Sequence, residues 1–267
     1  MAQIKISIKN DSSTLTDAQV SAVVPALQTQ VSRDFAPPWG VDADLDFVPK
    51  GQQPPAGHWW LVVLDNSDQA GALGYHDMTP EGLPLGKVFA GTDLQYGTQW
   101  TVTASHELLE MLGDPAINLN ALWMTNFDVN QNVVGRLYAY EVCDACEADR
   151  DGYIIDGVLV SDFVYPAWFE SFRQTSSTQF DHQLRITDPF QLLPGGYISV
   201  YDMTSGTGWQ QISLSLPQPA AFLPQRAPIG SRRERRRTPR NQWLKSAPGA
   251  GRTLSGPAAQ SRATAQS

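Results

Sequence analysis

The stretch from Thr98 to Leu112 constrains this chain more than any other. Its fifteen positions contain no Gly or Pro, with apolar residues at Val102, Leu108, Leu109 and Leu112. Such a run predicts a helix, and Gly113-Asp114-Pro115 ends it, because Gly suits a left-handed cap and Pro disfavours helical geometry in the residue before it. The apolar residues around it predict burial, and it stops within a turn of Glu110.

The flanking patterns place this helix in an α+β chain. Ile4 to Ile8 alternate apolar and polar like a half-buried strand. Thr16-Asp17 then opens a helix with Val20, Val23, Val24, Leu27, Val31 and Phe35 at helical spacing, closed by Pro37-Pro38 and Gly40. Short strands are predicted at 43–48, 59–65 and 84–90, with a Gly-rich stretch at 71–75. Beyond the long helix the pattern predicts hairpins, one pairing 122–127 with 136–142 and one pairing 153–155 with 158–160 around Asp156-Gly157, a favoured two-residue turn. Strands at 197–201 and 210–214 close the pattern. The expectation is a mixed twisted sheet with an N-terminal helix and a second, chemistry-bearing helix, followed by β-hairpins.

Charge divides the chain in two. From Arg226 onward ten Lys or Arg face one acid, Glu234, a net of +9; the 225 residues before it hold nine basic and 26 acidic residues, a net of −17. An acidic body argues against nucleic acid as the main ligand and suits cations, leaving only weak nucleic-acid binding through the Arg232 to Arg240 segment. The Pro-, Ala-, Arg-, Ser- and Gly-rich composition predicts a structured unit over 1–224 and a disordered basic tail over 225–267, either an address for anionic partners or a solvated extension. Cys143 and Cys146 are too few for a disulfide framework. The N-terminus lacks the apolar core of a Sec-type signal, and the longest apolar run, Trp59 to Leu64, is far short of a membrane span. The expectation is a soluble protein with no membrane partner, cytoplasmic or released with a particle.

The chemistry sits on the long helix, in His106-Glu107-Leu108-Leu109-Glu110. His106 and Glu110 are four apart, so they project from one face a turn apart and can reach one metal ion, while Glu107 stands beside it as a base. The familiar zinc-peptidase spacing has a second His in the last position. A carboxylate there gives a harder, more negative site, for zinc or another divalent ion. A third protein ligand must come from elsewhere, and Glu141 is the first candidate: on a strand through 136–142 it shares a face with Leu137 and Ala139, and an inward carboxylate needs a partner. Asp144, Asp114 and His76 are alternatives.

These residues resemble a pattern in zincin-like proteins of bacteria, phages and plants, the plant members being exordium-like, phosphate-induced proteins. Ser105-His106-Glu107-Leu108-Leu109-Glu110 is followed by Asp114-Pro115, Ala121-Leu122-Trp123 and Glu141-Val142-x-Asp144-x-Cys146. Val160-Ser161-Asp162-Phe163 to Ala167-Trp168-Phe169 also resembles bacterial relatives. The motifs cover about residues 98–147. The resemblance implies a zincin-like fold, His106, Glu110 and Glu141 as metal ligands, and Glu107 as general base in hydrolysis of a peptide or protein substrate by metal-activated water. It also implies that the stretch 83–90 is the edge strand that pairs with substrate. The alternative is a catalytically silent zincin-like binding module, a particle or cargo component whose basic tail is its address.

Weaker signals accompany these. Cys143-x-x-Cys146 lacks a second pair for zinc, and Asp149-x-Asp151-Gly152 lacks the remaining ligands of a calcium loop. His76, beside Asp77, is a candidate ligand or oxyanion stabiliser.

Overall fold

The computed structural model describes residues 4–69, 72–127, 133–204 and 208–214. Strand β1 (Ile4–Asn10) is an inner strand of a five-stranded sheet. Thr16 then caps helix α1 (Asp17–Thr29): its hydroxyl accepts the Gln19 amide at 3.3 Å, and Gln19 Oε1 accepts the Thr16 amide at 2.9 Å. The helical path continues as a π-helical segment over Gln30–Phe35 and a short α2 (Ala36–Trp39), and Gly40 stops it at φ 69°. Strands β2 (Ala43–Val48), β3 (Trp59–Leu64), β4 (Gly74–Met78) and β5 (Pro84–Phe89) complete the sheet in the order β2-β1-β3-β5-β4. All neighbours are parallel except β4, which pairs antiparallel with β5.

That order corrects one expectation. Residues 84–89 form an inner strand, and the edge beside it is β4, which begins at the end of the Gly-rich stretch. β4 has five residues and no apolar alternation, so periodicity does not reveal it.

Helix α3 (Ala90–Tyr96) ends at Gly97, φ 75°, and α4 (Trp100–Gly113) follows. α4 packs against β3, β4 and β5 and is buried almost all round, His106, Glu107 and Glu110 included. Gly74 on β4 allows the close approach of α4, and Gly86 on β5 makes room for Leu61 of the neighbouring β3. A Cβ on Gly74 would lie 2.7 Å from Thr103 Cγ2 and 2.8 Å from Glu107 Cγ; one on Gly86 would lie 2.5 Å from Leu61 Cδ1. Gly113 departs from its expected role. It is not left-handed; a Cβ there would meet Val142 Cγ1 at 2.8 Å, so the missing side chain lets the loop through Glu141 and Val142 close on the helix.

The second half forms a four-stranded antiparallel sheet ordered β11-β10-β7-β6, from β6 (Asn120–Phe127), β7 (Val133–Ala139), β10 (Tyr197–Asp202) and β11 (Trp209–Ser213). The β8 (Tyr153–Ile155) and β9 (Val158–Val160) hairpin turns through Asp156 and Gly157, both at positive φ. β9 packs on α4, and Thr101 Oγ1 donates to Leu159 O at 2.7 Å. One buried apolar cluster runs from Ile6 in the first sheet to Val200 in the second. The observed class is α+β, as the patterns predict. No helix among the described residues is long and apolar enough to cross a membrane. The tail over 225–267, with Arg232 to Arg240, lies outside the described residues.

Candidate metal centre

α4 brings His106, Glu107 and Glu110 into a buried space, closed on one side by β4 and on the other by the turn after β7. His106 Nε2 lies 3.2 Å from Glu110 Oε1 and 3.3 Å from Asp144 Oδ1. Asp144 opens a 3₁₀ turn, Asp144–Cys146, that packs against β10. The Cys143 amide donates to Glu110 Oε1 at 3.3 Å and steadies that carboxylate.

His76 enters from β4. It is fully buried, on the strand face that also carries Gly74, and opposite Gly86 in register. Its Nδ1 lies 3.4 Å from Glu110 Oε2 and 3.7 Å from Glu107 Oε2, and its Nε2 lies 3.7 Å from Glu141 Oε2. Glu110 therefore presents one oxygen to each imidazole.

Two sets of ligand-type atoms converge. His106, Glu110 and Asp144 form one, and His76, Glu107 and Glu110 the other; within each the atoms lie within 4.8 Å of one another. Atoms held at about 2.0–2.2 Å around one tetrahedral ion stand roughly 3.4 Å apart. The separations at His106, 3.2 and 3.3 Å, match that spacing before any rearrangement. Glu107 Oε2 and Asp144 Oδ1 are buried and accept no hydrogen bond, a costly state for a carboxylate unless it is protonated or coordinated.

The electrostatics bind these groups together. Burial drives Glu107 above the usual carboxylate range, against the pull of His76 and His106. Asp144 is pushed up to about 8, by burial first and then by the negative charge of Glu110. Burial acts on Glu110 in the same direction, but His106 and then His76 outweigh it and hold Glu110 well below the ordinary value. His106 stands well above its own, because Glu110 and Asp144 outweigh the burial that opposes its charge.

The sequence candidates thus fall in different places. His106 and Glu110 meet directly, and the acid that joins them in a trio is Asp144. Glu107 joins the second trio. Glu141 is buried, as the strand face implies although β7 ends at Ala139, and it faces the far nitrogen of His76. Asp114 serves the chain after α4, accepting the Asn118 and Leu119 amides at 3.0 and 3.1 Å. Asp149 accepts the Gln99 amide at 2.8 Å, and Asp151 pairs with Arg185 at 2.5 Å. Cys143 and Cys146 are buried free thiols. The sequence names His76 only as one alternative ligand or an oxyanion stabiliser, on the Gly-rich stretch before it and on Asp77 beside it; that it faces Glu107, Glu110 and Glu141 at once is decided by the pairing of β4 with β5.

Comparison with protein-family models, curated proteins and solved structures finds no match to this chain.

Proposed function

We propose that this chain is a metal-dependent hydrolase of zincin-like design, acting on peptide bonds, with one divalent ion held by His106, Glu110 and Asp144. The observation that carries the reading is the convergence of His106 Nε2, Glu110 Oε1 and Asp144 Oδ1, the last accepting no hydrogen bond. Zinc is the first assignment. One nitrogen and two carboxylate oxygens make a harder donor set than two imidazoles, so manganese is the competitor to test.

When bound, such an ion supplies Lewis acidity, polarising a carbonyl and acidifying water. The protein's own groups do the rest. Glu107 Oε2 lies beside the trio without a hydrogen bond, placed to take a proton from the attacking water and pass it to the leaving amine. His76 Nδ1 faces Glu107 and Glu110, and Glu141 faces the other ring nitrogen, so the ring is held between three acids. The peptide reading rests on β4 being the outer strand of the sheet that carries α4, where an extended backbone adds by strand pairing.

The test is elemental analysis of the purified full chain, then cleavage of a peptide library. One divalent ion per chain is expected, lost in His106→Ala and retained in Glu107→Gln. A folded chain that takes up no divalent ion overturns the reading; one that takes up the ion but cleaves nothing limits the site to binding.

A further inference from the structure

We propose that the centre has a second divalent-cation position, formed by His76 Nδ1, Glu107 Oε2 and Glu110 Oε2, and that filling it switches the hydrolase off. This rests on the metal-dependent reading above, because Glu110 is shared with the first ion.

Geometry comes first. The three atoms converge within 4.8 Å, and His76 Nδ1 stands 3.4 and 3.7 Å from its two partners. That spacing is close to the roughly 3.4 Å edge of a tetrahedral site. Glu110 is placed to bridge: Oε1 turns to His106 and the Cys143 amide, Oε2 to His76. Glu107 Oε2, 5 % exposed as a residue, points into this space and accepts no hydrogen bond. Glu141 Oε2 lies 3.7 Å from Nε2, on the other side of the ring, so Nδ1 is the His76 nitrogen that faces Glu107 and Glu110.

Charge balance points the same way. Glu107, Glu110, Glu141 and Asp144 are four buried carboxylates in one space. Among the described residues, the basic groups within ion-pair reach of Glu107, Glu110 and Asp144 are His76 and His106 alone. Glu147, half-buried beside them after the Cys146 turn, adds a fifth acid. With both imidazoles neutral, as ligation requires, one dication leaves the ionised cluster negative, and a second reduces that excess.

The consequence is functional. The lone pair on Glu107 Oε2 serves either as base or as ligand. A cation in the second position occupies it and stops proton transfer, so excess divalent metal inhibits while the first equivalent activates.

The experiment is calorimetric titration of chelator-stripped full-length chain with zinc alone, checked by elemental analysis. Two equivalents are expected, the first tighter, with peptide hydrolysis rising over the first and falling over the second. His76→Asn is expected to bind one equivalent and to lose the inhibition by excess zinc; the surviving equivalent also certifies its fold. Glu107→Gln, an independent variant of nearly the same shape, is expected to keep the first equivalent and weaken the second. Saturation of the wild type at one equivalent, or a second equivalent that survives in His76→Asn, overturns the proposal and leaves the one-ion reading standing. A wild type that binds none overturns both.

Discussion

Two buried acid clusters in this molecule look alike by composition and differ in what satisfies them. In the first, Glu107, Glu110, Glu141 and Asp144 surround two imidazoles. In the second, Asp162 and Asp181 are both fully buried, and main-chain amides serve them: Phe163 and Gln183 donate to Asp162 at 2.8 and 3.2 Å, and Arg185 and Ile186 donate to Asp181 at 3.0 Å. Burial, then the neighbouring Asp181 carboxyl, pushes Asp162 up to about 9. The second cluster directs most of its acceptors to main-chain amides of the loops between residues 161 and 190. The one oxygen it leaves without a hydrogen bond, Asp162 Oδ2, has no imidazole within ion-pair reach among the described residues. The first points acceptor atoms from three elements at common points, which a loop-folding role does not require. Buried acid by itself therefore does not mark a site; convergence of heteroatoms does.

The comparison breaks or sharpens under substitution. Glu107→Gln carries the largest expected effect, a loss of about 10²–10⁴-fold in peptide hydrolysis with the first metal equivalent intact, since general-base catalysis contributes on that order; unchanged turnover would remove Glu107 from the chemistry. Next, Asp144→Asn is expected to weaken the first ion by at least about 100-fold, more than the loss of an outer-shell partner costs, while Asp162→Asn leaves metal affinity as it was. Equal metal affinity in the two variants would erase the distinction between the clusters.

Gly74→Ala tests the close packing on which the first cluster depends. Its Cβ would press on Thr103 and Glu107, with an expected cost of about 1–3 kcal/mol in denaturant unfolding. No measurable cost would mean that α4 and β4 have room to spare.

The last test belongs to the second cluster. Asp162 has a folded value of about 9, above its ordinary 3.8, so the folded state holds its proton more tightly than the unfolded chain does. The resulting stability is complete below about pH 4 and is lost as pH rises through about 9. The melting temperature is expected to fall between pH 6 and pH 9.5, and Asp162→Asn to flatten that fall. A wild-type curve that rises over this interval would contradict the assignment.

Much of the architecture was legible because it is set locally. The Thr16 cap, the Asp156-Gly157 turn and the gap between prolines and glycines around α4 act over a few residues, and the structure has elements at each. The strand β4 was not legible, because Gly-Tyr-His-Asp-Met has no alternating apolar face and owes its place to pairing with β5. The alternation carries an inward strand face through to Glu141; β7 ends at Ala139, yet Glu141 is buried as that face implies, and Gly113, at a position suited to a left-handed cap, instead admits Val142. Each miss concerns a contact between segments distant in sequence, about which propensity says nothing.

The chain's own order of residues determined that His106, Glu107 and Glu110 share one helix and that His106 and Glu110 lie one turn apart, because the 3.6-residue period is a property of the backbone. Tertiary structure alone decided which atoms meet them. Asp144 reaches His106 and His76 reaches Glu110 only because two glycine-bearing strands and a turn after β7 close on α4 from opposite sides, bringing positions 76, 110 and 144 into a space a few ångströms across.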